Sequence, residues 1–374
     1  LWAAAIFVTA QLAASGLLDY WWPQVRFPTL HQQLARFDAT DGAVNIVFLG
    51  SSRTGCLMAE AELNRVTREI TGDPQVNCFN AYVPAGDPIL CERMLRRLFE
   101  RPSRPRFVVI EVCPEGLNQR TAWLAMYVGW ALCWNDVPAY IKDLAVTGSL
   151  VRFCGTRFIP LYVYRDQIRR QLAACTAKWC LGSEYGLSPV MLSLPQGMPP
   201  PASQPNPHGN IAQGPGVKGP GSESGRYEVR GAAEWWKAAI ASSLRETRID
   251  PNRTTTLGLE GVRRELKGYR TGGNAAGALE QMLRQCRAHG VEPILMSVPL
   301  SSGHRQCYDP EVEAAFQACM AEMTRKYACR YVDYRDALPD HFFVDHHHAA
   351  PEGACLFSRQ IAVELLAPAW TGEW

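Results

Sequence analysis

The chain has 374 residues, with 47% hydrophobic and 20% charged side chains and a formal net charge of +2. That length buries a sizeable core in one large domain or two. A balance so near neutral, with no basic stripe interleaved with aromatics, excludes a nucleic-acid partner. Thirteen cysteines without a C-x-x-C pair argue against a zinc ribbon or a thioredoxin-type motif. They read mostly as small buried apolar residues, and cysteine usage alone does not fix the compartment.

The first eighteen residues, LWAAAIFVTAQLAASGLL, carry no charge and are followed by Asp19 and the aromatic cluster Tyr20, Trp21, Trp22. As a helix they extend about 27 Å, enough for a hydrocarbon core, with aromatics suited to the interface. A membrane anchor over residues 1–22 is the favoured expectation, against a cleaved signal-peptide core or a buried helix. The first two place the rest of the chain outside the cytoplasm. The chain begins at Leu, so an upstream charged flank is expected to be missing and the positive-inside rule cannot be applied.

Residues 23–44 read as a connecting segment with an amphipathic piece, LHQQLARF. NIVFLG (45–50) is a compact apolar run, read as a buried strand. AEAELNRVTREI is helical, VNCFNAY (76–82) strand-like, ILCERMLRRLFE helical, and RFVVIEV (106–112) a third strand. The rhythm resumes with helix ALEQMLRQCRAHG, strand EPILMSVPL (292–300), helix PEVEAAFQACMAEMTRKY, strand CRYVDY (329–334) and a last helix opening at Pro351. Apolar strands alternating with helices predict an α/β fold, with a parallel sheet covered on both faces. Residues 45–119 and 227–374 are the expected two parts of this domain. A helical insertion over 120–195 and a Pro/Gly-rich loop over 196–226 separate them.

Functional groups gather at the carboxyl ends of parallel strands. After the first strand stands GSSRT (50–54), where a glycine permits a tight turn and a serine at a helix start is exposed beside outward-facing N–H groups. Capping by Ser51 or Ser52 is the plain alternative. PAGDP follows the second strand and EVCPEGLN the third. Near the end comes VDHHHAAPEGA (344–354), where an Asp three residues before a His can fix an imidazole's tautomer.

Together FLGSSRT, NAYVPAGDP and FVDHHHAAPEGACLFSRQIA resemble the SGNH (GDSL-type) hydrolase superfamily over roughly 45–120 and 280–366. The resemblance implies a three-layer α/β/α flavodoxin-like sandwich with a central parallel sheet, carrying the insertion outside it. It implies Ser52 as nucleophile, with Ser51 where the family usually has Asp, and Asp345 and His348 as the other triad members. Backbone N–H groups of Ser52 and Gly86 would form the oxyanion hole. The family's Asn block after the third strand is unmatched, with Glu115 at about that position and Asn118, slightly later, as the candidate donor. In layout the chain is similar to membrane-anchored proteins that move acyl groups onto cell-envelope polymers, as in alginate O-acetylation and teichoic-acid D-alanylation. The expected function is therefore a serine esterase or O-acyltransferase without a cofactor. Its substrate would be an acyl ester or acylated carbohydrate, and other envelope acylation proteins would be its partners. The alternative is a catalytically inactive, membrane-anchored scaffold of the same fold.

Several residues carry plainer expectations. A metal site built from His341, His346, His347 and His348 is disfavoured, because neighbouring side chains of an extended segment point to opposite faces. His346 and His347 then read as spacers. Arg53 reads as solvated or ion-paired rather than substrate-binding, and His304 and Tyr308 as surface residues. Asn80 is a candidate hydrogen-bond donor near the site, and Trp123, Trp130 and Trp134 read as helix packing.

Overall fold

A computed structural model describes residues 1–119, 132, 134, 137–146, 149–181 and 251–373. Five strands form one all-parallel sheet in the order β2-β1-β3-β4-β5: β1 Ile46–Leu49, β2 Cys78–Asn80, β3 Phe107–Glu111, β4 Glu292–Ser297 and β5 Arg330–Asp333. Each lies inside a run expected from sequence. The burial of β1 and β2, of β3 but for its last residue and of β4 but for its first explains why they read as apolar blocks, whereas β5, at the sheet edge, is only partly buried.

The main helices are α1 Trp2–Tyr20, α2 Pro28–Asp38, α3 Ser52–Leu57, α4 Glu60–Thr71, α5 Pro88–Phe99, α6 Pro251–Leu266, α7 Gly273–Ala288, α8 Pro310–Tyr327 and α9 Pro351–Ile361. Side chains alternate across a strand, so the sheet feeds two cores. Val47, Leu49, Val108, Ile110 and Leu295 pack against α2, α5, α7 and α8. Ile46, Phe48, Phe107, Val109, Ile294 and Met296 pack against α3, α4 and α9. With helices on both faces, the architecture is α/β and compatible with three layers.

The expected 120–195 insertion is helical where it is described, over Val137–Val146, Leu150–Phe158, Pro160–Val163 and Arg165–Leu181. Trp134 packs edge-on against Phe153 and Phe158, whereas Trp123, Trp130 and the 196–226 loop lie outside the described residues. Helix α1 is long and apolar enough to span a membrane. Gln11, Ser15 and Leu18 are its buried residues, and α1 packs against the 150–158 and 160–163 helices. At its base the Asp19 carboxylate pairs with Arg26 at 2.6 Å and Arg157 at 2.5 Å. Ten cysteines, among them Cys78, Cys91, Cys113 and Cys286, are free thiols.

The strand order reverses between β1 and β3, and in open α/β sheets the crevice at such a switch point is where ligands gather. GSSRT leaves the end of β1, and EVCPEGLN leaves the end of β3.

Candidate active site

Ser51 caps α3: its Oγ accepts from the Arg53 N–H at 3.2 Å. Ser52 then occupies the first helical position, where a backbone N–H has no acceptor within the helix. Glu111, the last residue of β3, anchors this turn. Its carboxylate accepts from the Ser51 N–H at 2.7 Å, the Ser51 hydroxyl at 2.9 Å and the Thr54 hydroxyl at 2.6 Å. Gly50 leaves room for that carboxylate, since a Cβ there would sit 2.8 Å from the Glu111 Cβ.

Across the site, the 344–348 loop is closed by the Val344 N–H donating to the His348 carbonyl at 2.9 Å, beside a Phe343–Ala349 bridge. Asp345 Oδ1 accepts from the N–H groups of His347 and His348 at 2.8 and 2.7 Å. Its Oδ2 lies 2.7 Å from His348 Nδ1, and His348 Nε2 lies 2.8 Å from Ser52 Oγ. Burial opposes ionisation of Asp345, but the bond to His348 and the His347 N–H outweigh it and hold the carboxyl well below its usual range. Helix α9 fixes this loop relative to α3, because Ser358 Oγ donates to the Leu57 carbonyl at 3.1 Å and accepts from the Ala59 N–H at 3.0 Å. Ser52, His348 and Asp345 thus form one hydrogen-bonded chain.

The other expected donors are placed differently. The Gly86 N–H donates to the Val83 carbonyl at 2.7 Å, closing a turn in which Ala85 adopts φ +49°. The Asn118 amide donates to the Glu265 carbonyl at 2.6 Å, and Asn118 bridges Thr271. The bonds described for Gly86 and Asn118 run to carbonyls outside the serine turn. Asn80 is likewise structural, its amide donating to the Thr54 and Met58 carbonyls at the end of α3.

Sequence reasoning missed a buried charged network behind the serine turn. Arg53 is indeed ion-paired, but inside the protein: its guanidinium lies 3.0 Å from Glu115 and 3.4 Å from Glu111. Burial disfavours the charge on Arg53, yet Cys113, Glu115 and Glu111 hold its pKa well above the arginine value. Glu115 also meets His304 Nε2 at 3.0 Å and accepts from the Tyr308 hydroxyl at 2.8 Å. Burial alone would raise the Glu115 pKa, but Arg53 and His304 pull it well below the usual carboxylate range. His304 is 1% exposed, which corrects the expectation of a surface residue for it. Tyr308 joins it in the interior network. The one available signal was Glu111 itself, a charge closing an otherwise apolar strand.

The alternate-face argument against convergent histidines also fails, because the segment is bent rather than extended. His346 stacks on His304 with ring centroids 5.3 Å apart, and His347 lies edge-on to His304 at 5.8 Å. His341 is exposed and tilts against Phe342.

A carboxylate, an imidazole and a hydroxyl linked in series can move a proton from the hydroxyl and stabilise the resulting imidazolium. Searches against protein-family models and curated proteins return no match to this chain.

Proposed function

We propose that the protein is a serine esterase or O-acyltransferase of the SGNH type. It would act on acyl esters, with acylated cell-envelope carbohydrate as the substrate class. The observation that carries this reading is the unbroken Ser52–His348–Asp345 chain, in which a 2.8 Å contact joins Ser52 to His348, 296 positions away, and a 2.7 Å contact joins His348 to Asp345. In the proposed reaction Ser52 Oγ attacks the ester carbonyl carbon as His348 Nε2 takes its proton. Asp345 stays ionised, orients Nδ1–H and stabilises the imidazolium. The Ser52 N–H is the available backbone donor to the oxyanion. Collapse of the tetrahedral intermediate expels the alcohol, which receives the proton from His348 and leaves an acyl-enzyme. Water or a sugar hydroxyl then accepts the acyl group by the reverse proton path.

Helix α1 would anchor the protein in a membrane, with the α/β domain on its extracytoplasmic side. The engagement of Gly86 and Asn118 elsewhere favours a second reading, an inactive scaffold of the same fold. A serine-directed fluorophosphonate separates the two. The active enzyme is labelled at Ser52, hydrolyses a small acyl ester, and loses both properties in Ser52→Ala and His348→Ala. A folded wild-type chain that neither labels nor turns over leaves the scaffold reading.

A further inference from the structure

Next to the triad lie three imidazoles that the proposed reaction does not use. His304, His346 and His347 each place a ring nitrogen within 4.8 Å of those of the other two. Nδ1 of each is buried, with no hydrogen-bond partner among the described residues. A buried polar nitrogen without a partner is costly, so three of them in one cluster call for a shared occupant.

The surroundings are built for one. Glu115 holds Nε2 of His304, which leaves Nδ1 as that ring's ligand atom and supplies the carboxylate–imidazole arrangement that orients metal-bound histidines. Ser301 ties the two halves together: its hydroxyl donates to the His346 carbonyl at 2.9 Å and accepts from the His304 N–H at 3.3 Å. Helix α6 covers the cluster at Gly258, where a Cβ would fall 2.6 Å from His346 Nδ1.

We propose that His304, His346 and His347 bind one divalent first-row transition-metal ion, of which zinc is the type. Three neutral nitrogens with no thiolate or hard-oxygen donor suit zinc, nickel or copper rather than magnesium or calcium. Tetrahedral zinc with bonds of about 2.0–2.1 Å sets its nitrogens roughly 3.3 Å apart, so the rings close by about 1.5 Å at most. Three protein ligands leave a fourth position open. Asp345, His347 and His348 form a competing cluster, but both ring nitrogens of His348 are already engaged by Asp345 and Ser52. The assignment is independent of whether Ser52 is a nucleophile.

The test uses the full chain, stripped with a chelator and equilibrated with zinc chloride or cobalt(II) chloride. One zinc per chain is expected by elemental analysis, at micromolar affinity or tighter. Cobalt is expected to give the intense visible bands of a low-coordinate nitrogen site rather than the faint colour of the hydrated ion. His346→Ala and His347→Ala each weaken zinc binding at least about 100-fold, whereas Ser52→Ala and His348→Ala retain it. Circular dichroism of each stripped variant verifies folding, and a variant that does not fold is replaced by His→Gln at the same position. A folded wild type without stoichiometric zinc overturns the assignment. So does binding that survives His346→Ala but is lost in His348→Ala, which would put the ion on the triad. Stoichiometric zinc without fluorophosphonate labelling upholds the metal site and removes the catalytic reading alone.

Discussion

Replacing Glu111 by Gln tests whether the serine turn is held by charge. The carboxylate receives the Ser51 N–H, the Ser51 and Thr54 hydroxyls, and faces Arg53 Nε at 3.4 Å, all on a side chain 4% exposed. Gln keeps one acceptor oxygen for the Ser51 N–H and Thr54. Its amide NH2 must then face Arg53, donor against donor. Hydrogen bonds to a charged group contribute about 1.5–3 kcal/mol each. Breaking a buried pair by removing one partner costs about 3–5 kcal/mol. Arg53 retains Glu115 at 3.0 Å, which puts the expected loss at the low end, about 3 kcal/mol. Urea unfolding followed by fluorescence should show a lower midpoint at an unchanged slope. Glu111 positions Ser51 and, through it, Ser52, so the fluorophosphonate labelling rate of the still-folded variant should fall roughly tenfold or more. A variant within about 0.5 kcal/mol of wild type, labelled at the wild-type rate, refutes the reasoning.

Asp345→Asn keeps an oxygen for the two loop N–H groups but presents an amide donor to His348 Nδ1. The proton then moves to Nε2, and Ser52 labelling at pH 7 should drop on the order of 10³–10⁴-fold without loss of fold; undiminished labelling contradicts this. Burial raises the Asp87 pKa to about 6 against an ordinary 3.8, the bond from the Leu90 N–H only partly offsetting it. Its protonated form therefore favours the native state below pH 4, and that stability is lost as pH rises through 6. Asp87→Asn, an equally good helix cap, should be more stable than wild type at pH 8 by up to about 3 kcal/mol and lose that advantage below pH 4. An equal difference at both pH values refutes the assignment. If α1 anchors the chain, the full-length protein should stay with membranes through alkaline carbonate extraction, and its release would count against the anchor.

β1 to β4 were legible because double-sided burial writes itself as apolar runs, while the partly exposed edge strand β5 was legible from its place in the strand–helix rhythm. Helix α8 could be read from Pro310 to Tyr327 because Asp309 caps it and Pro310 opens it. Ser52, Asp345 and His348 were legible as local motifs at strand and helix ends. What stayed hidden was tertiary. Arg53, Glu111, Glu115, His304 and Tyr308 come from three stretches of chain, and no spacing announces that they meet. His346 and His347 were misjudged for a local reason: the Val344-to-His348 bond bends the backbone, so adjacent rings turn to the same side. The positions of Gly86 and Asn118 depend on which carbonyls happen to lie near their donors, and no residue pattern encodes that.

The Asn118–Thr271 bridge has a consequence for how the chain tolerates its long excursion between β3 and β4. Gln119 N–H donates to the Arg270 carbonyl at 2.8 Å, and Gly272 N–H to the Leu117 carbonyl at 3.4 Å, so departing and returning strands are clasped at a narrow neck. With the neck closed, lengthening the excursion charges the sheet only the slow logarithmic entropy of a longer loop, about 0.6 kcal/mol per doubling. The neck is therefore where a different appendage would be grafted, and such a graft would have to replace the packing of Leu132, Leu144 and Phe153 on Ile89 and Ala278. One restriction follows from α6: because Gly258 lies against His346, any graft must return through that helix or leave the histidine cluster unroofed.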